Sequence, residues 1–131
     1  MKGLDTNVLV RYLTQDEREQ ARKVDRLVAT IVAKGERVYV NVIVLCELTW
    51  VLRSGYGFGK EALVRVLERI LSTPRLALED REEVREALEE YREGGGDFSD
   101  YLIGARNRRA GCSDTATFDR HLKGSALFTL L

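Results

Sequence analysis

Residues 1–13 read MKGLDTNVLVRYL. Lys2 to Asp5 can form a short strand, and its last residue is an acid. Val8, Leu9, Tyr12 and Leu13 then recur at helical spacing. A carboxylate where a first strand meets a first helix has two uses. It caps the helix or makes an Asx turn, or it meets other acids that the fold brings to the same edge. The rest of the chain decides between them.

Outward from that start, strands and helices alternate. Ala21, Val24, Leu27, Val28, Ile31 and Val32 predict a helix that Lys34 and Gly35 stop. RVYVNV (37–42) is β-branched and aromatic and predicts a strand. IVLCELTWVLRSG (43–55) predicts a helix closing near Gly55. Ala62, Leu63, Val66, Leu67, Ile70 and Leu71 predict another, which Pro74 cannot continue. LALE (76–79) predicts a short strand. DREEVREALEEYREGGG (80–96) predicts an amphipathic helix with Val84, Leu88 and Tyr91 inward, ended by glycines. DFSDYLIGARNRRAG (97–111) predicts the next helix, closed by Gly111, and TATF and ALFTLL predict two last strands. Strands separated by helices imply right-handed crossovers and a parallel sheet. The expectation is a single α/β domain over residues 1–131, three-layered and Rossmann-like, with a parallel sheet of about five strands.

A chain of 131 residues is long enough for one hydrophobic core, and its 44% apolar content excludes a disordered polymer. Basic and acidic side chains balance at 21 each, so a nucleic-acid partner must be held by a local basic patch or through a metal. Cys46 and Cys112 stand alone, without zinc-ligand spacing, and suit a reducing, cytoplasmic interior. No signal peptide is expected from the N-terminus, and no apolar run reaches the roughly 18 residues of a membrane span.

In open parallel sheets, ligands bind at the carboxyl ends of the strands. Asp5, Glu47, Asp97, Asp100 and Asp119 all fall at strand ends or in the helices that follow them. Each also has an ordinary structural use. Asp5 and Asp97 suit helix caps, Asp100 a first-turn acid, Asp119 a turn, and Glu47 the exposed face of a helix. Five together are harder to assign to capping alone. Clustered carboxylates repel unless a cation neutralises them, and all-oxygen sites suit Mg²⁺ or Mn²⁺. Such ions serve phosphodiester hydrolysis. The single histidine, His121, leaves no Ser-His-Asp set, and GYGFG (55–59) lacks the Lys-Ser/Thr continuation of a phosphate loop.

Four blocks carry a family resemblance: LDTNVLVRYL, VNVIVLCELTWVL, DFSDYLIGARNRRAG and TATFDRHL. In order and spacing the chain resembles the PIN-domain family nearly end to end, above all the VapC-type toxins of toxin–antitoxin pairs. The resemblance implies an α/β sandwich with a five-stranded parallel sheet. It also implies a metal-dependent endoribonuclease acting on structured RNA, often tRNA or rRNA. The family's four acids fall on Asp5, Glu47, Asp100 and Asp119, and Asp97 matches a further acid of the DFxD form. Asp5, Asp100 and Asp119 would hold Mg²⁺ or Mn²⁺, with Glu47 and Asp97 completing the site or placing the attacking water. Thr6, Asn7 and Thr117 match polar positions that orient those carboxylates.

Arg108, Arg109 and Arg120 are the expected RNA contacts, with Arg11, Arg53, Arg106, His121 and Lys123 nearby in sequence. The resemblance further implies a homodimer and a VapB-type antitoxin, with no membrane partner. The alternative is a catalytically silent PIN domain that binds RNA or protein. Haloacid-dehalogenase and receiver phosphotransfer sites fit poorly, because Asp5-Thr6-Asn7 lacks D-x-D and the third strand runs into EDREE.

Overall fold

The computed structural model describes residues 1–131. The chain divides into two compact units, Met1–Glu79 and Asp80–Leu131. In the first, β1 (Lys2–Gly3), α1 (Thr6–Thr14), α2 (Arg18–Ala33), β2 (Val38–Val40), α3 (Val42–Tyr56), α4 (Lys60–Leu71) and β3 (Leu76–Leu78) follow in order. The strands are parallel in the order β1-β2-β3, with Val38 facing Lys2 on one side and Leu76 on the other. A central strand flanked on both sides has no solvent-facing edge, which is why β2 carries the fully buried Val38 and Val40.

Local chemistry sets the helix ends. Asp5 caps α1, Glu17 caps α2 and Asn41 caps α3, each through a side-chain oxygen that accepts a first-turn N–H. Gly35 and Gly57 take left-handed backbone (φ 74° and 70°) just past α2 and α3, where a β-carbon would be strained. The buried stripe of α2 is Ala21, Val24, Val28 and Ile31. Val32 is exposed instead, since 3.6 residues per turn carries it off the line of Val24, Val28 and Ile31. Leu45, Leu48 and Leu52 of α3 are fully buried, each stabilising by about 1.5–3 kcal/mol through area removed from water.

The second unit holds α5 (Arg81–Glu93), α6 (Phe98–Arg109), β4 (Thr115–Thr117), a 3₁₀ turn (Arg120–Leu122) and β5 (Phe128–Leu130). Helices α5 and α6 pack on each other through Tyr91, Phe98 and Tyr101, with the Tyr91 and Phe98 rings edge-to-face at 6.1 Å. Arg106 of α6 reaches the buried Glu83 at 3.1 Å and Asp80 at 2.6 Å. Strands β4 and β5 pair in parallel, Thr115 facing Phe128.

The α/β class, the parallel pairing and the five strand segments match expectation. The single five-stranded sheet does not: the segments form one sheet of three strands and one of two. Each strand is only two or three residues long. So short an apolar run marks that a strand exists but carries too little pattern to select its neighbour. No helix is long and apolar enough to cross a membrane, and both cysteines are free thiols.

Gly94 and Gly96 lie where the chain passes Tyr101, whose hydroxyl accepts the Gly96 N–H at 3.0 Å. A β-carbon at Gly94 would collide with that hydroxyl and stand 2.7 Å from the ring. Gly94→Ala should therefore destabilise by about 1–3 kcal/mol, by overpacking a buried ring. Gly55 is helical with open space around it, so Gly55→Ala should stabilise by up to about 1 kcal/mol. Thermal unfolding of both variants reads the contrast: one melting temperature falls by several degrees and the other rises.

Candidate active site

In the first unit, α1 and α3 each leave a parallel strand within two residues of its end, so their first turns sit at the carboxyl edge of the sheet. Asp5 stands at the start of α1, and its Oδ1 accepts the Val8 N–H at 3.1 Å. Asn41 accepts the Val44 N–H at 2.9 Å, and Glu79, just past β3, accepts the Val42 N–H at 2.9 Å. These two acceptors fix the start of α3 and through it Glu47, in the second turn. Glu47 is exposed, despite the apolar stretch around it. The Thr6 hydroxyl donates to Glu47 Oε1 at 3.1 Å, which ties the residue after Asp5 to the acid of α3. Sequence reasoning missed Asn41 and Glu79. A cap signal was present in Asn41 immediately before the apolar run, whereas Glu79 reaches Val42 only through the pairing of β2 with β3.

In the second unit, Asp97 and Asp100 form the capping box of α6, with Asp100 Oδ2 accepting the Asp97 N–H at 3.0 Å. Burial raises the Asp100 pKa above the ordinary range. The Asp97 N–H bond opposes that rise, and the charges of Asp97 and Asp119 add to it. The three acids therefore share one electrostatic neighbourhood. Asp119 caps the 3₁₀ turn: its Oδ1 faces the His121 N–H and the His121 Nδ1, both at 2.9 Å. The backbone bond first, then the ring bond, lower its pKa. Thr117 Oγ1 accepts the Asp119 N–H at 3.0 Å and fixes that loop.

A common pattern runs through both units. Asp5, Glu47, Asp100 and Asp119 each have one carboxylate oxygen bonded to the protein and one with no protein partner. One hydrogen bond, from a helix-start N–H or for Glu47 from the Thr6 hydroxyl, thus holds each carboxylate in place without using up its acceptor capacity. Such a set of free anionic oxygens has the donor chemistry of a Mg²⁺ or Mn²⁺ site. The acids are not drawn into a closed ligand cage: no group of three or more His, Cys, Asp or Glu is gathered at metal-holding geometry. Asn7 makes no side-chain hydrogen bond within the protein.

The arginines divide. Arg108 and Arg109 both reach Glu86 of α5, Arg109 at 3.8 Å. Arg120 is exposed and has no acidic partner. The aromatic Phe118, beside Asp119, is 83% exposed.

The Asp100 environment gives a pH prediction. An acid whose pKa is raised on folding keeps its proton to higher pH in the native state than in the unfolded chain. Native stability therefore falls as pH rises from the unfolded pKa through the folded one. In metal-free buffer at neutral pH, Asp100→Asn should melt above the native protein, and the gap should close below the ordinary aspartate pKa. A variant that melts lower at neutral pH would show that the bond to Asp97 outweighs burial.

Comparison with known proteins places these residues in a family. The model of the PIN domain matches residues 3–125 and so runs through both units. A VapC ribonuclease of Aquifex aeolicus (strain VF5) is 31% identical over 123 residues, covering 94% of this chain and 90% of that protein. No solved structure matches the chain significantly. With the family model spanning nearly its whole length, the chain belongs to the PIN-domain family.

Proposed function

We propose that the protein is a divalent-metal-dependent endoribonuclease, the toxin of a VapC–VapB-type pair, hydrolysing phosphodiester bonds in tRNA or rRNA in the cytoplasm. The observation that carries this reading is the set of four carboxylates, each held through one oxygen with the other free. A similar protein bearing the name of a ribonuclease supports it. In this reading the two units act as one domain.

Asp5, Asp100 and Asp119 are the residues that would hold one Mg²⁺ or Mn²⁺, directly or through water. When bound, such an ion polarises a phosphoryl oxygen and offsets charge on the leaving oxygen. The protein's own residues do the rest. Thr6 holds Glu47 with Oε2 free to accept a proton from the attacking water. Asp97 helps fix the start of α6 and with it Asp100. His121 and Thr117 keep Asp119 from rotating away. Arg120 grips RNA phosphate, and Arg108 and Arg109 join it only by exchanging Glu86 for RNA. The arginine side chains of these pairs are 46% exposed, so that exchange is open to a polyanion. A homodimer and a VapB-type antitoxin complete the assembly. Ile43 and Trp50, 67% and 69% exposed on α3, are apolar surface available to such partners.

Cleavage of a small-RNA pool that includes tRNA, with Mg²⁺, with Mn²⁺ and with EDTA, tests the reading. Cutting should require the metal and fall at least about 100-fold in a well-folded Asp5→Asn protein, a loss in the range expected for one electrostatic or acid–base group. Metal-dependent cutting that survives in that variant removes Asp5 from the chemistry. Arg120→Ala should raise KM and lower the salt dependence of RNA binding, while Arg108→Ala should change both less. The opposite ranking would place the RNA along α6.

A further inference from the structure

A cavity of about 290 Å³ opens beside Asp5 within the first unit. Asn7, Val8 and Arg11 line it from α1, and Gln20, Lys23 and Val24 from α2. Val24 is buried and Val8 half-buried, so part of the lining is apolar. Around that apolar part stand polar groups with nothing in the protein to bind. The Lys23 ammonium has no acidic partner and the Asn7 amide makes no hydrogen bond.

Arg11 is different, because it is clamped. Its Nε donates to Gln20 Oε1 at 2.7 Å, and its Nη1 reaches the Tyr56 hydroxyl at 3.0 Å and Asp16 at 3.4 Å. Asp16 is itself held by the Thr14 and Tyr56 hydroxyls, each at 2.7 Å. The Nη2 has no partner. Three fixed contacts on one side leave a rigid planar cation in the wall, with one unused edge. An apolar lining, a fixed guanidinium plane, a free amide and a free ammonium converge on one hollow. Convergence of a few polar groups on an apolar hollow is the pattern of a small-ligand pocket.

The ligand must carry a negative charge for Lys23, a flat face for Val8, Val24 and Arg11, and a donor–acceptor edge for Asn7. An unpaired nucleotide has all three, and single-stranded RNA is recognised in this way, by stacking and edge hydrogen bonds on splayed bases. Asp5 lies in the same wall, so a chain cleaved at Asp5 passes this hollow. We propose that the cavity is the subsite for the single-stranded ribonucleotide next to the cleaved bond. The base rests on Val8, Val24 and the Arg11 plane, Asn7 reads its edge, and Lys23 holds its flanking phosphate. The inference rests on the nuclease reading for what happens at Asp5, but binding at the cavity needs no cleavage.

The probes are short single-stranded oligoribonucleotides, one homopolymer for each base, titrated in EDTA so that no bond is cut. Lys23 is exposed, and its replacement leaves the core untouched. Lys23→Ala should weaken binding about ten-fold or more, the worth of one charge-assisted hydrogen bond, and Lys23→Arg should restore it. The salt slope should drop by about 0.7, as for one lost phosphate contact on a single strand. Arg11→Lys keeps the charge but removes the planar face, and should level the differences among the four homopolymers. With metal present, Lys23→Ala should raise KM and leave kcat unchanged. Native affinity and native KM in Lys23→Ala would overturn the subsite while leaving the nuclease intact, as would a protein that cuts RNA but binds none of the homopolymers. Weakened binding in a chain that never cuts would keep the cavity as a ribonucleotide site but overturn its place beside a cleaved bond, together with the nuclease reading.

Discussion

The first N–H groups of a helix have no partner inside the helix, and something must accept them. In this chain the acceptors at α1 and at the 3₁₀ turn are Asp5 and Asp119, and at α6 the capping box brings in Asp97 and Asp100. That constraint fixes where the chemistry can be. Each cap contributes of order 1 kcal/mol to its helix and at the same time immobilises a carboxylate beside the positive end of a helix dipole. The structural and chemical uses of these acids therefore do not compete. One oxygen serves the backbone and the other is left to a ligand.

The arrangement has a cost, and it falls on Asp100. Burial and the charges of Asp97 and Asp119 all oppose its ionisation, with only the Asp97 N–H bond against them. An uncharged acceptor at that position would avoid the repulsion. The retained charge is what the proposed chemistry requires, and a cation would remove the repulsion it creates. Glu47 shows the complementary solution. It sits exposed on a helix that buries Leu45, Leu48 and Leu52 on another face, and a threonine from α1 orders it instead of a backbone amide.

Much of this was legible in the sequence, and the limits have physical causes. The helices were readable because apolar residues repeat over three or four turns, as in Val24, Val28 and Ile31 or Leu63, Leu67 and Ile70. Strand existence was readable from RVYVNV and TATF, but the two-sheet arrangement was not, because three residues do not encode a neighbour. The acids were readable as strand-end residues. What each one touches was not: Thr6 and Glu47 lie 41 positions apart and meet only through the tertiary fold. The arginine run at 106–109 looked like a phosphate grip. Only the packing of α6 on α5 reveals that Asp80, Glu83 and Glu86 face it.

That pairing bears on how a neutral protein could hold RNA at all. Balanced charge of 21 and 21 gives no long-range attraction, and much of the cationic surface is already matched locally. Arg106, Arg108 and Arg109 face α5 acids, and Arg11 shares its charge with Asp16. Two unpaired cations stand beside a carboxylate: Lys23 shares a cavity with Asp5, and Arg120 follows Asp119 directly. With the acids uncompensated, their fields cancel and phosphate gains little. Were a divalent ion to neutralise the acids, the same lysine and arginine would become net attraction. In this arrangement the metal would govern substrate affinity as well as bond cleavage, because it would unmask the free cations that stand beside the acids.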